Sequence, residues 1–149
     1  MTTFIRKAVD SDYSQVKSCA LAAYEIYVRR IGQEPAPMVA DFAAAIDRDE
    51  VYLAEDTGRI CGFVIFYPRG NHVHLENVAV RPELQRRGIG LLLITYVEQK
   101  AIQGGYSSIE LYTNANMTEN LGIYPKLGYQ QYDRRMDEGF DRVFFRKTL

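Results

Sequence analysis

The sequence predicts one α/β domain, a mixed sheet with helices on its faces. Three observations carry this. The chain has 149 residues, the size of a single domain that buries roughly two thirds of the surface its unfolded form exposes. Runs that alternate at period two interleave with runs at three- and four-residue spacing, in the order β-α-α-β-β-β-α-β-α-β-β. No repeat, linker or low-complexity stretch divides the chain, so residues 1–149 read as one unit.

Thr3–Val9 alternates and predicts the first strand. Asp10 or Ser11 then caps a helix whose face is Tyr13, Val16, Ala20, Ala23, Tyr24 and Tyr27, with Gly32 as its stop. Gln33–Pro37 is a rigid connection. Pro37 suits the first turn of a second helix, whose apolar face is Val39, Phe42, Ala43 and Ile46. Two strand-like runs, "VYLAE" and "RICGFVIFY", flank the hairpin signal Asp56–Gly58. Pro68–Asn71 turns the chain into the strand His72–Val80. Ile89 to about Gln103 is helical and ends at Gly104 and Gly105. Ser107–Thr113 is a strand, Asn116–Gly128 is mostly helical, and "YQQYD" and "DRVFFRKTL" are closing strands.

Composition narrows the function. A net charge of -1 argues against general affinity for nucleic acid, so any anion site must be local. Cys19 and Cys61 form no CxxC pair and read as reduced core thiols of a cytoplasmic protein, not as metal or redox groups. The N-terminal "MTTFIRKAVD" lacks the long apolar region of a signal peptide or anchor, and no run reaches the roughly 20 apolar residues of a membrane span.

The chemistry concentrates at "NVAVRPELQRRGIGLLLITYVEQKA", Asn77–Ala101. A strand ends near Val80, Pro82 breaks it, and a helix begins near Gly88. The first N–H groups of a helix lack intrahelical partners, and its dipole makes that end partly positive. Gly88 and Gly90 let a ligand approach the backbone, and Arg86 and Arg87 add charge at the opening. Together these make a phosphate or pyrophosphate cradle. The loop is not a Walker A loop, because no lysine and hydroxyl follow the glycines. Nor is it GxGxxG, because Leu93 holds the third position and three strands precede it.

The remaining pattern is Q-x-x-G-x-G at Gln85, Gly88 and Gly90. Here the chain resembles the GNAT superfamily of acyl-CoA-dependent N-acyltransferases, and the element order extends the resemblance over essentially the whole chain. It implies a mostly antiparallel twisted sheet with helices on both faces, and acetyl-CoA as co-substrate. It also implies that Gln85, Arg86, Arg87, Gly88, Ile89, Gly90 and Leu91 hold the pyrophosphate, while the pantetheine arm pairs with Val78, Ala79 and Val80. By alternation His72, His74, Glu76, Val78 and Val80 share one strand face. Glu76 and Val80 stand roughly 13 Å apart at ~3.3 Å per residue, long enough to seat such an arm.

N-acetylation needs a neutral amine, and an alkylamine with a reference pKa near 10.4 is mostly protonated at pH 7. A base must take the proton, directly or through water. His74 and Glu76, two residues apart, are the candidates; relatives use histidine or glutamate from this strand, so the choice between them stays open. A metal role for the histidines lacks a third ligand. The segment "NMTENLGIYPKLGY" matches the end of the family's Y-x-K-x-G-[FY] helix at Tyr124, Lys126, Gly128 and Tyr129. The resemblance makes Tyr124 the acid that protonates the departing thiolate. Met117 stands where the family has asparagine, so Asn116 and Asn120 are both candidates to contact coenzyme A. Pro125 predicts a kink or early break.

The family places the acceptor among the first two helices and the last hairpin. Tyr24 and Tyr27 are candidate aromatic walls there, and Glu34 a candidate for attracting a cationic amine. The expectation is direct transfer of an acetyl group to a primary amine, of a small molecule or a protein, in a ternary complex. A homodimer is compatible with the resemblance. The rival is a non-catalytic acyl-CoA-binding or regulatory domain on the same fold.

Overall fold

The computed structural model describes residues 2–149. Its elements are β1 (Phe4–Lys7), α1 (Tyr13–Tyr24), α2 (Val28–Ile31), α3 (Phe42–Asp47), β2 (Val51–Asp56), β3 (Arg59–Arg69), β4 (His72–Val80), α4 (Ile89–Gln103), β5 (Ser108–Asn114), α5 (Thr118–Lys126), β6 (Gln130–Asp137) and β7 (Phe140–Thr148). The strands form one seven-stranded sheet in the order β1-β2-β3-β4-β5-β7-β6. Every pair is antiparallel except β4 with β5. Two cores follow from the two faces. Val16, Cys19, Ala20 and Ala23 of α1 join Phe42 and Ile46 of α3 against Leu53, Phe63 and Ile65. Leu93, Ile94, Val97 and Ala101 of α4 pack on Val64, Leu75, Ile109 and Phe145. Cys19 and Cys61 are buried free thiols. Among the described residues no helix is long and apolar enough to cross a membrane.

The hairpins form where turn chemistry demands them. Thr57 and Gly58 both take positive φ (48° and 79°) between β2 and β3, as do Glu138 and Gly139 (51° and 84°) between β6 and β7. Positive φ at both central residues matches the right-handed twist of the paired strands. β3 and β4 approach closely at Gly62, where a Cβ would lie 2.6 Å from the Ala79 carbonyl oxygen. That contact fixes the strand on which the site is built.

Several local expectations need correction. Neither Asp10 nor Ser11 caps the first helix: Asp12 accepts the Val9 N–H at 2.8 Å while its carboxylate also takes two bonds from Arg6. The helical run from Asp10 reaches Ile31 but is interrupted by a 3-10 turn at Glu25–Tyr27, and Gly32 ends it with φ 82°. Pro37 does not start the second helix. It lies in a 3-10 turn, Ala36–Met38, and α3 begins only after Asp41, which accepts the Ala44 N–H at 3.1 Å. Val39 and Ala43 are therefore exposed, and Ala45 joins Phe42 and Ile46 inward. Helix α5 runs through Pro125 but stops one residue later at Lys126, because Gly128 turns left-handed at φ 93°.

Candidate active site

The site begins with a break in the sheet. β4 pairs with β5 only from His72–Ser108 to Leu75–Leu111, and beyond that point the two parallel strands part. The cause lies on the other side of β4. Ile65 of β3 faces Asn77 while the next residue, Phe66, faces Leu75, so Glu76 is an extra residue without a partner, a β-bulge. The bulge bends β4 away from β5. It also resets the side-chain alternation, which corrects the expectation that His72, His74, Glu76, Val78 and Val80 share a face. Val78 and Val80 turn to the α4 side, while Asn77 and Ala79 turn to the α1 side. Arg81 donates its N–H to the Cys61 carbonyl at 2.9 Å. By the antiparallel alternation Asn77 and Ala79 then exchange bonds with β3, so the N–H and C=O groups of Val78 and Val80 point into the gap.

The gap opens onto the N-terminus of α4. Leu84 is buried and anchors the loop, and Gln85 Nε2 donates to the Val80 carbonyl at 3.3 Å. Arg86 (φ 65°) and Gly88 (φ 82°) both adopt left-handed backbone. For a non-glycine residue that costs roughly 1–3 kcal/mol, a strain found where backbone amides are aimed at a ligand. No side chain caps α4, so the first N–H groups of the helix stay open. Gln85, Arg86, Gly88, Ile89, Gly90 and Leu91 border a cleft of about 790 Å³ that continues between β4 and β5. Arg87 is exposed outside that lining, and Ala79 is buried beside it.

Around the gap the side chains fall into three groups. Glu76 borders the cleft, and one of its oxygens accepts a short hydrogen bond from the Tyr67 hydroxyl. His74 lies behind, buried, its ring 5.4 Å from that of Tyr67 and 5.5 Å from that of Tyr112. Burial pushes its pKa down to about 4, against the opposing pull of Glu76. His74 is therefore a neutral imidazole at pH 7, too weak a base to take a proton from an alkylammonium. On the far wall Tyr124 packs edge-on against Tyr129 and tilted against Phe145, both at 5.7 Å. Its hydroxyl donates to no protein group, borders the cleft, and is pushed up to about 12 by burial. Asn120 borders the same wall and donates to Thr113 Oγ1 at 3.2 Å, whereas Asn116 is exposed away from it.

Tyr24 and Tyr27 reach the cleft in different ways. Tyr24 is buried, and its hydroxyl lies 2.6 Å from Asn77 Oδ1 and 2.8 Å from the Val78 carbonyl, so it buttresses the bulge as well as bordering the cleft. Tyr27 donates to Glu119 at 2.8 Å, and Arg30 bonds the same carboxylate at 2.7 Å, joining α2 to α5 across the cleft. Glu34 is exposed and does not border it. Sequence reasoning passed over Tyr67, Asn77, Asn114, Tyr112 and Arg142. None of them carried a distinguishing signal: even Arg142 alternates with Phe144 and Arg146 on one face of its strand, as an ordinary solvated arginine would. Among the described residues no group of three or more His, Cys, Asp or Glu is placed to hold a metal ion.

The neutral burial of His74 has a consequence for stability. The unfolded chain takes this proton near pH 6.5 and the folded chain only near pH 4, so the unfolded state binds more protons in between. Stability is expected to rise with pH across that window and to be lost as pH falls from 6.5 towards 4, by at most about 3 kcal/mol. Denaturant titrations at stepped pH, repeated on His74→Phe, check this. The substitution should flatten the slope, and an equal slope in both proteins would assign it to other groups.

Comparison with known proteins places this arrangement. The model of the acetyltransferase (GNAT) family matches residues 18–129. An uncharacterized N-acetyltransferase, YvbK, of Bacillus subtilis (strain 168) is 28% identical over 107 residues, 71% of this chain and 68% of its own. Among solved structures, the PaiA N-acetyltransferase of Thermoplasma acidophilum in complex with coenzyme A superposes with a TM-score of 0.81 at 16% identity, covering 100% of both chains. The ribosomal-protein-S18-alanine N-acetyltransferase of Escherichia coli gives a TM-score of 0.72 at 20% identity over 99% of this chain and 94% of that one.

Proposed function

The chain belongs to the acetyltransferase (GNAT) family, and from that premise we propose that it transfers an acetyl group from acetyl-CoA to a primary amine by direct attack in a ternary complex. One observation carries the reading: the gap between β4 and β5 runs from a bulged carboxylate to an uncapped helix N-terminus. A ligand with phosphates at one end and a thioester at the end of a long arm fits that shape.

In this reading the backbone amides from Gly88 to Leu91, with Gln85, Arg86 and Arg87 at the rim, bind the pyrophosphate. The edge of Val78 and Val80 pairs with the amide arm, as a missing strand would. Asn120 contacts the same ligand in this reading, supported by its position on the cleft wall, which Asn116 does not share. The Val78 N–H meets the oxygen of the thioester carbonyl and stabilises the oxyanion that forms as the amine nitrogen attacks carbon. Glu76 takes the amine proton, directly or through one water, and Tyr67 orients its carboxylate. The carbon–sulfur bond then breaks, and the Tyr124 hydroxyl donates its proton to the leaving thiolate. Cys19 and Cys61 lie outside the cleft, which favours direct transfer over an acyl-enzyme. Tyr24 and Tyr27 border the acceptor end of the cleft. A cytoplasmic setting, where acetyl-CoA is available, belongs to the same reading.

Calorimetric titration with acetyl-CoA, with ATP and NAD as controls, tests it. Micromolar binding of acetyl-CoA alone is the expected result, followed by release of free coenzyme A thiol when a suitable amine is added. Preference for ATP or NAD, or no binding at all, would overturn the reading. Binding without acetylation across a broad amine panel would make the chain a sensor of acetyl-CoA.

A further inference from the structure

Arg142 has no part in the reaction as written, yet it borders the cleft with a side chain only 4% exposed. A guanidinium so enclosed needs compensation. Part of it comes from the tip of the β6–β7 hairpin: Nη1 lies 3.0 Å from Asp137 Oδ2 and 3.4 Å from Glu138 Oε2. Both contacts use the same nitrogen. Nε and Nη2 donate to no protein atom, and no fully enclosed side-chain nitrogen among the described residues lacks a partner, so both keep access to solvent in a side chain that borders the cleft. The plane of the group is held by the ring of Tyr112, 4.2 Å away, and that of Phe140 at 5.4 Å. The free Nε–Nη2 edge is a side of a guanidinium that presents parallel N–H bonds to a carboxylate.

The face is the right one. His74 lies opposite Glu110 on β5, Tyr112 and Asn114 follow on the same side, and Asn114 lies opposite Arg142. Tyr67 lies opposite His74 and binds Glu76 from that side, so Glu76 and Arg142 stand on one face with the single strand β5 between theirs. A residue that only fastened the hairpin would need Nη1 alone. We propose that Arg142 is a specificity determinant that binds a carboxylate of the acceptor, so that the acceptor is a small amine that also carries an acid group. The amine faces Glu76 and the acid faces Arg142. The assignment rests on the acetyltransfer reading.

The test uses the full chain and matched acceptors: glycine, β-alanine, γ-aminobutyrate and 5-aminopentanoate, each beside its carboxamide and the plain alkylamine of equal length. Thiol release from acetyl-CoA gives kcat and KM, and calorimetry gives acetyl-CoA affinity. One member of the acid series is expected to exceed its neutral counterparts in kcat/KM by roughly 10- to 100-fold, mainly through KM. The ratio should fall to within about twofold in Arg142→Gln and recover in part in Arg142→Lys, with acetyl-CoA affinity unchanged. Neutral amines equal to or better than the acids in the wild-type protein would overturn the proposal, as would acid preference that survives Arg142→Gln. Failure to acetylate any of the acids while acetyl-CoA binds would overturn it as well. Should Arg142→Gln not fold, the wild-type ratio and competition by the matching amine-free carboxylates decide it: inhibition supports the site, and its absence removes it. Failure of acetyl-CoA itself to bind would instead sink the acetyltransfer reading beneath it.

Discussion

Glu76→Gln is expected to lower kcat at pH 7 by roughly 10²- to 10⁴-fold, the range found when a positioned proton acceptor is lost. The size follows from the acceptor. An alkylamine with a pKa near 10.4 has only a small free fraction at neutral pH, and the attacking nitrogen must shed a proton. The strand carries two candidate bases, of which only Glu76 borders the cleft. His74 is buried and pushed down to about 4, so it cannot hold that proton. Glu76 borders the cleft because the bulge swings it out of the ladder, and Tyr67 fixes the carboxylate. Glutamine keeps the shape and still accepts from Tyr67, so acetyl-CoA affinity should stay within about twofold. The pH profile separates this role from a structural one. Below the amine pKa the free amine increases tenfold per pH unit, so the variant's rate should climb with pH and the gap to wild type should narrow towards pH 10. A variant with wild-type kcat/KM at pH 7, or with a gap that ignores pH, would remove Glu76 from the proton path. His74→Phe, by contrast, should leave the activity profile without a lost inflection near pH 6.5.

What the sequence disclosed and what it hid divide along a physical line. The conformation of the glycine loop was legible because its signals are local: glycines where the backbone turns left-handed, a proline that ends a strand, and an amphipathic run that defines α4 from Ile89 to Gln103. The bulge at Glu76 was not legible, because it is a property of the register between β3 and β4 and not of the residues His72–Val80 alone. With the bulge went the correct faces of Val78 and Val80. Which of Asn116 and Asn120 borders the cleft depends on where β5 ends and α5 begins, a boundary at which Asn114 accepts the Asn116 N–H at 2.9 Å. Arg142 was hidden for a similar reason. Its burial depends on the hairpin tip folding back so that Asp137 and Glu138 meet it. Glu34 looked useful as a negative charge near the acceptor loop, but Pro35 is buried beside it and the carboxylate stays in solvent.

Tyr124→Phe is expected to reduce kcat by tenfold or more, on the order of 10²-fold if proton donation to the thiolate limits turnover. The substitution is conservative where the protein is concerned. The ring lies against Tyr129 and Phe145, and phenylalanine keeps both contacts. The hydroxyl makes no bond to protein, so its removal leaves no group unpaired and thermal stability should change little. What is lost is a donor aimed into the cleft. Because burial pushes that hydroxyl up to about 12, it is protonated throughout the working range of pH, and wild-type activity should show no alkaline loss from this group below about pH 11. An interaction made only as the carbon–sulfur bond breaks contributes to the transition state and not to binding. The kinetic signature is therefore specific: kcat and kcat/KM fall together while acetyl-CoA affinity by calorimetry holds. Equal turnover in the two proteins would make Tyr124 a packing residue. A loss confined to acetyl-CoA affinity would make it a wall of the binding site, and the thiolate would then have to take its proton from solvent.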